Sequence, residues 1–109
     1  MQADDWRNDD TAALFDAIIT LETRDEAAHF FRDLCTRREL EEMSSRWAVV
    51  RLLTDDIPYR TIHDLSGVST ATITRINQWL QHGTGGYRTM LRRLGIEHGT
   101  ETRQGETSS

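Results

Sequence analysis

The segment from Pro58 to Leu80 holds the residues of this 109-residue chain that are best suited to molecular recognition. In its second half, small, hydroxylated or hydrogen-bonding side chains recur opposite an apolar helical stripe. They are Thr70, Ala71, Thr72, Thr74, Arg75 and Gln78. Such side chains can approach base edges and phosphates in the major groove of DNA. The pattern predicts a surface that binds nucleic acid.

A short helix from Tyr59 to Ser66 is expected to support that surface. Its apolar residues Ile62 and Leu65 are predicted to lie on the inner face. Gly67 follows where a helix commonly ends in a left-handed residue, a conformation that glycine adopts at little cost. Val68 is expected to fill the turn that comes next.

Ser69 is predicted to begin the second helix, because its side-chain oxygen can accept a hydrogen bond from a free amide of the first turn. That helix is predicted from Thr70 to about Gln81. Its buried stripe consists of residues at spacings of three and four, Ile73, Ile76 and Leu80. Two helices joined by a short turn, with one apolar and one polar face, predict a helix-turn-helix.

Two runs of residues here resemble a known family. The run Thr70–Arg75, TATITR, is similar to the recognition helix of the bacterial Trp repressor superfamily. The run His82–Arg88, HGTGGYR, more narrowly resembles YerC/YecD-type Trp-repressor-like proteins. The resemblance covers roughly residues 12 to 94. It implies an all-α fold, an intertwined homodimer and sequence-specific binding of double-stranded DNA by a transcriptional regulator.

The resemblance also implies roles for individual residues. The start of the second helix, from Thr70 to Thr72, would meet base edges, and Thr74 and Arg75 would follow deeper in the groove. Arg60 would bind a phosphate or reach a guanine. In a dimer, two such helices would enter successive major grooves of a pseudopalindromic operator. The complete predicted DNA-binding set is Arg60, His63, Ser69, Thr70, Ala71, Thr72, Thr74, Arg75 and Gln78.

His63 is the one residue that departs from a typical helix-turn-helix. It stands at a helix–helix contact where many such motifs place alanine or glycine. A plain αα-corner without DNA binding is therefore the alternative interpretation of this segment. An exposed or DNA-facing His63 would remove the objection.

An effector pocket is the second site that the resemblance implies. In Trp repressor itself, residues matching Thr36, Arg46 and Arg75 line the corepressor site. Thr36 also has the spacing of a helix N-cap, and Arg46 can pair with a glutamate one turn earlier. A glycine of the recognition helix is replaced here by Ile76, and a later serine by Trp79. Because both are larger and apolar, we expect them to fill the indole pocket and exclude tryptophan as corepressor.

The rest of the chain is helical by its apolar periodicity. One helix is predicted from Thr11 to Glu22, and capping boxes at Thr23 and Thr36 begin two more, the longer of which ends near Thr54. A last helix is predicted from Tyr87 to Leu94. The predicted protein is all-α with about six helices. Its expected organisation is a flexible N-terminus (1–10), a helical domain (11–95) with the helix-turn-helix at 58–80, and a disordered polar tail (96–109).

The first three predicted helices carry more apolar surface than so small a domain can bury. The positions concerned include Leu14, Phe15, Ile18, Ile19, Phe30, Phe31, Leu34, Leu40 and Met43. A second copy of the chain would cover the surplus. The composition therefore predicts a homodimer, in agreement with the resemblance.

Charge is distributed unevenly along the chain. The total of −5 argues against nucleic acid, but residues 1–57 alone carry 14 acidic residues and seven arginines, a net −7. Residues 58–95 carry one aspartate and five arginines, a net +4, and residues 96–109 carry −2. All 13 basic residues are arginine, which suits bidentate contacts with phosphate or guanine. The helix-turn-helix and the residues that follow it, up to residue 95, form the only basic block.

Other function classes have little support in the sequence. No nucleophile and base are arranged as in an enzyme, no cofactor is indicated, and the four histidines lack metal-ligand spacing. The loop from Gly83 to Gly86 follows a helix and lacks a lysine, which favours a hinge over a phosphate-binding loop. No apolar run is long enough for a membrane span.

The cysteine content indicates the cellular compartment in which the protein is expected. Cys35 is the single cysteine and cannot form a disulfide framework, so a cytoplasmic location is expected.

The rival to a DNA-binding regulator is a dimerisation and protein-interaction module in which the helix-turn-helix is vestigial. Salt-dependent binding to duplex DNA would discriminate between them.

Overall fold

The computed structural model describes residues 6–96, in which all regular secondary structure is helical. The predicted all-α class and the number of helices are confirmed. No helix within residues 6–96 is long and apolar enough to cross a membrane. The helices are α1 (Asp9–Ile18), α2 (Arg24–Leu34), α3 (Arg37–Thr54), α4 (Tyr59–Ser66), α5 (Thr70–His82) and α6 (Gly86–Leu94).

Threonine caps start α2 and α3 as predicted. The Thr36 hydroxyl accepts from the Glu39 amide at 3.0 Å, and the Glu39 carboxylate accepts from the Thr36 amide at 2.8 Å. This reciprocal pair is a complete capping box. At α2 the Thr23 hydroxyl accepts from the Glu26 amide at 3.0 Å, but the Glu26 carboxylate accepts from the amide of Glu22 instead of Thr23.

The predicted bounds of the first helix were wrong at both ends, because α1 runs from Asp9 to Ile18. Its start is fixed by Asn8, whose side-chain oxygen accepts from the Thr11 amide at 2.9 Å. The Thr11 hydroxyl accepts from the Asn8 amide at the same distance. Residues 8–11 therefore form a capping box with threonine in place of the usual glutamate, a variant that the search for apolar periodicity could not detect.

The chain divides into two compact units. The described residues of the N-terminal unit are 6–40, and those of the C-terminal unit are 41–96. No residue between 6 and 40 is fully buried. The buried core lies in the C-terminal unit and consists of Val49, Val50, Ile62, Ile73, Ile76, Leu80 and Leu91.

One prediction about α4 was wrong, since Leu65 is 67% exposed and not on the inner face. Ile62 does enter the core. The residue that accompanies it inward is Ser66, which is half-buried and donates its hydroxyl to the Ile62 carbonyl at 2.6 Å. Ser66, and not Leu65, therefore faces the protein, and its hydroxyl is satisfied by the backbone of its own helix.

Candidate nucleic-acid interface

Helix α5 has one buried side and one exposed side. Ile73, Ile76 and Leu80 all lie in the core, as their spacing predicted. Among the predicted DNA-binding residues, only Thr72 is half-buried. The others are exposed, namely Arg60, His63, Ser69, Thr70, Ala71, Thr74, Arg75 and Gln78.

The turn between α4 and α5 has the predicted conformation. Gly67 has φ = 76°, in the left-handed region, and its amide donates to the His63 carbonyl at 2.8 Å. A residue with a side chain would be strained in this conformation. Ser69 then caps α5, accepting from the Thr72 amide at 3.2 Å. Val68 is half-buried and packs against the core, so it fills the turn.

The hydroxyl groups on the exposed side of α5 are largely engaged within the helix. Ser69 Oγ donates to Thr72 Oγ1 at 3.0 Å, and Arg75 Nη2 lies 3.4 Å from the same oxygen. Thr74 Oγ1 donates to the Thr70 carbonyl at 3.0 Å. This network was not foreseen from the sequence. It links Ser69, Thr72 and Arg75 into one row at the start of α5.

Three side chains of the predicted set keep their donors available. Arg60, Thr70 and Gln78 make no side-chain hydrogen bond within residues 6–96. Arg75 also retains further N–H groups, since a guanidinium carries five donors. Donors of this kind can reach phosphate oxygens and the acceptor atoms of purines.

His63 is exposed, so the objection to a DNA-binding motif is removed. Its imidazole does not separate α4 from α5. The Nδ1 atom lies instead 2.8 Å from the carbonyl oxygen of Val68, in the turn. The histidine is therefore part of the turn structure, an arrangement that its position in the sequence did not reveal.

Arg88, a member of the basic block of residues 58–95, supports the end of α5. It is half-buried, its Nε donates to the Leu80 carbonyl at 3.0 Å, and Nη2 donates to Gln81 Oε1 at 2.8 Å. Carbonyls in the last turn of a helix lack helical partners, and a cation there also interacts favourably with the helix dipole. The sequence signal for this role is a basic residue a few positions after the predicted end of the helix.

The loop after α5 requires glycine at one position. A Cβ atom on Gly83 would lie 2.4 Å from the Trp79 carbonyl oxygen, too close for any other residue without a backbone shift. The Gly83 amide closes α5 by donating to that same oxygen at 2.8 Å. This close approach explains the glycine at position 83, and the hinge interpretation of the loop stays a prediction.

The predicted effector residues Ile76 and Trp79 both belong to the C-terminal unit, but they differ in burial. Ile76 is 0% exposed and fills the core, as expected. Trp79 is 51% exposed within residues 41–96, and its expected part in filling an indole pocket stays a prediction. It lines an apolar hollow of about 360 Å³ together with Trp47, Thr84, Gly86, Tyr87 and Met90.

Two other residues of the predicted pocket, Arg46 and Arg75, belong to the C-terminal unit. Arg46 and Arg75 are both exposed and are absent from the lining of the aromatic hollow. Thr36 is engaged as the N-cap of α3, the alternative that its spacing had favoured. Within residues 6–96, no three His, Cys, Asp or Glu side chains are grouped as a metal ion would require.

Comparisons with known proteins agree with this geometry. The model of the Trp repressor protein family matches residues 9–95. The uncharacterized protein YerC of Bacillus subtilis is 36% identical over 94 residues, which cover 86% of this chain and 90% of YerC. The matched region includes every described helix.

Two crystal structures have a similar fold. A candidate Trp repressor from Staphylococcus aureus superposes with a TM-score of 0.81 at 43% identity, covering 89% of this chain and 97% of that one. A Trp repressor-like protein from Eubacterium eligens gives 0.78 at 39% identity, covering 82% and 92%. At these identities the likeness extends beyond the general arrangement of helices.

Proposed function

Because this chain belongs to the Trp repressor protein family, we propose that it regulates transcription as a homodimer bound to a pseudopalindromic DNA operator. Members of this family are DNA-binding regulators of transcription. The observation that carries the proposal is the two-sided character of α5. Its apolar stripe is fixed in the core, while its polar side, with Arg75, is exposed to a partner.

Base and phosphate contacts are assigned by position on this exposed side. Thr70, Ala71 and Thr72 at the start of α5 face base edges, and Thr74 and Arg75 lie deeper in the groove. The guanidinium of Arg60, on α4, binds a phosphate or a guanine. Gln78 extends the same side of α5. All of these side chains except Thr72, which is half-buried, are exposed, and this exposure supports the assignment.

A second copy of the chain is proposed to cover the N-terminal unit. Phe15, Ile19 and Leu34 are large apolar residues that are about half exposed or more. Fully burying such a side chain is worth about 1.5–3 kcal/mol, so covering the exposed part of several of them favours a dimer. Dimerisation also supplies the two recognition helices that a pseudopalindromic operator needs.

Tryptophan is proposed not to act as corepressor. A flat indole pocket against α5 requires a residue there without a large side chain. Ile76 occupies that position and belongs to the core, so opening the pocket would expose apolar surface worth about 1.5–3 kcal/mol. The protein should therefore bind DNA without an added effector.

Selection of duplexes from a random DNA pool tests the main proposal. The wild-type protein should enrich a pseudopalindromic sequence, and its affinity should fall linearly on logarithmic axes as salt rises. Arg75→Ala should weaken binding to the selected duplex by about 1–3 kcal/mol, because a base contact is lost. Arg103→Ala, in the polar tail, should change the affinity little.

Two outcomes would contradict this assignment. One is equal losses for the Arg75 and Arg103 variants, which would mean that α5 is not the DNA-binding surface. The other is a wild-type protein that enriches no duplex, which would favour the protein-interaction module.

Titration calorimetry with millimolar L-tryptophan tests the effector proposal. We expect no saturable heat, and the same affinity for the selected duplex with and without the amino acid. Saturable heat together with a tenfold gain in DNA affinity would show that Ile76 leaves room for the indole.

A further inference from the structure

The turn between α4 and α5 is held by two side chains of α4. The amide of Val68 donates to Ser66 Oγ at 3.1 Å, and its carbonyl oxygen lies 2.8 Å from His63 Nδ1. A carbonyl oxygen can only accept, so Nδ1 of His63 must carry the hydrogen. Val68 lies outside both helices and has no helical partner for either group. Residues of α4 therefore satisfy its whole backbone.

The start of α5 depends on this turn, because its core contacts begin later. The first fully buried residue of α5 is Ile73, and the first turn from Thr70 to Thr72 precedes it. The Val68 carbonyl and the Ser69 amide belong to one planar peptide unit. Fixing the carbonyl oxygen therefore fixes the plane from which Ser69 and the helix start.

We infer that His63 is a positioning residue, whose Nδ1–H holds the Val68 carbonyl and so orients the first turn of α5 for DNA binding. This inference rests on the proposed function, because it concerns the part of α5 assigned to base contacts. It differs from the role given to His63 by the sequence alone, a direct contact with DNA. In a direct contact, the Nε2 atom of His63 would be the atom that binds the DNA.

Three substitutions at position 63 separate the two nitrogen atoms. In His63→Asn, the side-chain amide nitrogen can occupy the place of Nδ1 and keep the donor to Val68. In His63→Gln, the longer side chain places its amide nearer to the position of Nε2. His63→Ala removes both groups.

The affinity of each variant is measured for the duplex that the wild-type protein selects from a random pool. His63→Asn should bind within about twofold of wild type. The Gln and Ala variants should bind about threefold to tenfold more weakly, the effect of one lost hydrogen bond. Far-ultraviolet circular dichroism at the assay temperature ensures that all variants are folded.

A second readout needs no DNA. Nitrogen-15 NMR of the wild-type imidazole should show a proton on Nδ1 of His63 in the free protein. Exchange of the Thr72 amide, which donates to Ser69 Oγ, should be faster in His63→Ala than in His63→Asn, while amide exchange at Ile76 and Leu80 in the core should stay the same.

The outcomes distinguish this inference from the proposed function. If the wild-type protein selects no duplex, the proposed function fails, and the NMR and exchange measurements still decide whether the histidine holds the turn. If His63→Gln binds like wild type and His63→Asn does not, Nε2 contacts the DNA and the inference is overturned. Equal affinities for all three variants would also overturn it.

Discussion

The N-terminal and C-terminal units of this chain are built with the same helix signals, yet among the described residues only the C-terminal unit has a fully buried apolar core. Both start helices with a hydroxyl cap, Thr36 in the first unit and Ser69 in the second. In the C-terminal unit, seven residues are buried in a common core. No residue from 6 to 40 is buried, and Ile19 is 80% exposed.

This difference shows what apolar periodicity can and cannot predict. A stripe at helical spacing identifies the side chains that need cover, but it does not identify the chain that provides it. In the C-terminal unit the cover is intramolecular, and in the N-terminal unit we propose that it comes from a second copy. Substitutions in the two units can therefore test whether this difference in burial governs stability and association.

The largest effect is expected from Ile73→Ala in the C-terminal core. Ile73 is completely buried, and its truncation should lower the free energy of unfolding by about 2–5 kcal/mol, because the lost contacts leave a cavity. Urea denaturation at a fixed protein concentration measures the loss. The control is Leu65→Ala, an exposed residue of α4, for which a change within about 0.5 kcal/mol is expected. Equal losses would mean that the burial difference does not govern stability.

A smaller effect, on association, is expected from Ile19→Glu combined with Leu34→Glu in the N-terminal unit. If a second copy covers these residues, each substitution places a carboxylate in an apolar contact and so disfavours association. The dimer dissociation constant should then rise at least tenfold, since burying one such side chain is worth about 1.5–3 kcal/mol. Light scattering across a concentration series measures it.

Thr61→Glu, at an exposed polar position of α4, is the control for this experiment and should leave association unchanged. A wild-type protein that scatters as a stable 12.6 kDa monomer at micromolar concentration would contradict the dimer altogether. The apolar residues of the N-terminal unit would then need another explanation.

The helix-turn-helix could be predicted from the sequence almost completely, because its signals are local. Gly67 marks the left-handed end of α4, and Ser69 marks the start of α5. The alternation of apolar and polar positions along α5 determines its two sides. Each of these features depends on a few neighbouring residues, and the structure agrees with all of them.

The features that were missed depend on contacts between elements or on a choice between neighbours. Leu65 and Ser66 compete for one inward position, and hydrophobicity alone favours the wrong one. Arg88 counts as a positive charge in the sequence, but its guanidinium is engaged by the end of α5. From its position in the sequence, His63 is expected to obstruct the contact between α4 and α5, whereas its imidazole is hydrogen-bonded across the turn. No sum of local propensities contains these interactions.

The smallest expected effect comes from removing the same kind of cap in each unit, by Thr36→Ala and Ser69→Ala. Each hydroxyl accepts from one free amide, so each loss should lower stability by about 0.5–2 kcal/mol. The two variants should lose similar amounts of stability, whereas their affinities for the selected duplex should differ. Ser69→Ala also frees Thr72 and the first turn of α5, so it should weaken DNA binding beyond its effect on stability. Thr36→Ala should not, and comparable losses of affinity would show that the DNA-binding surface depends on both units.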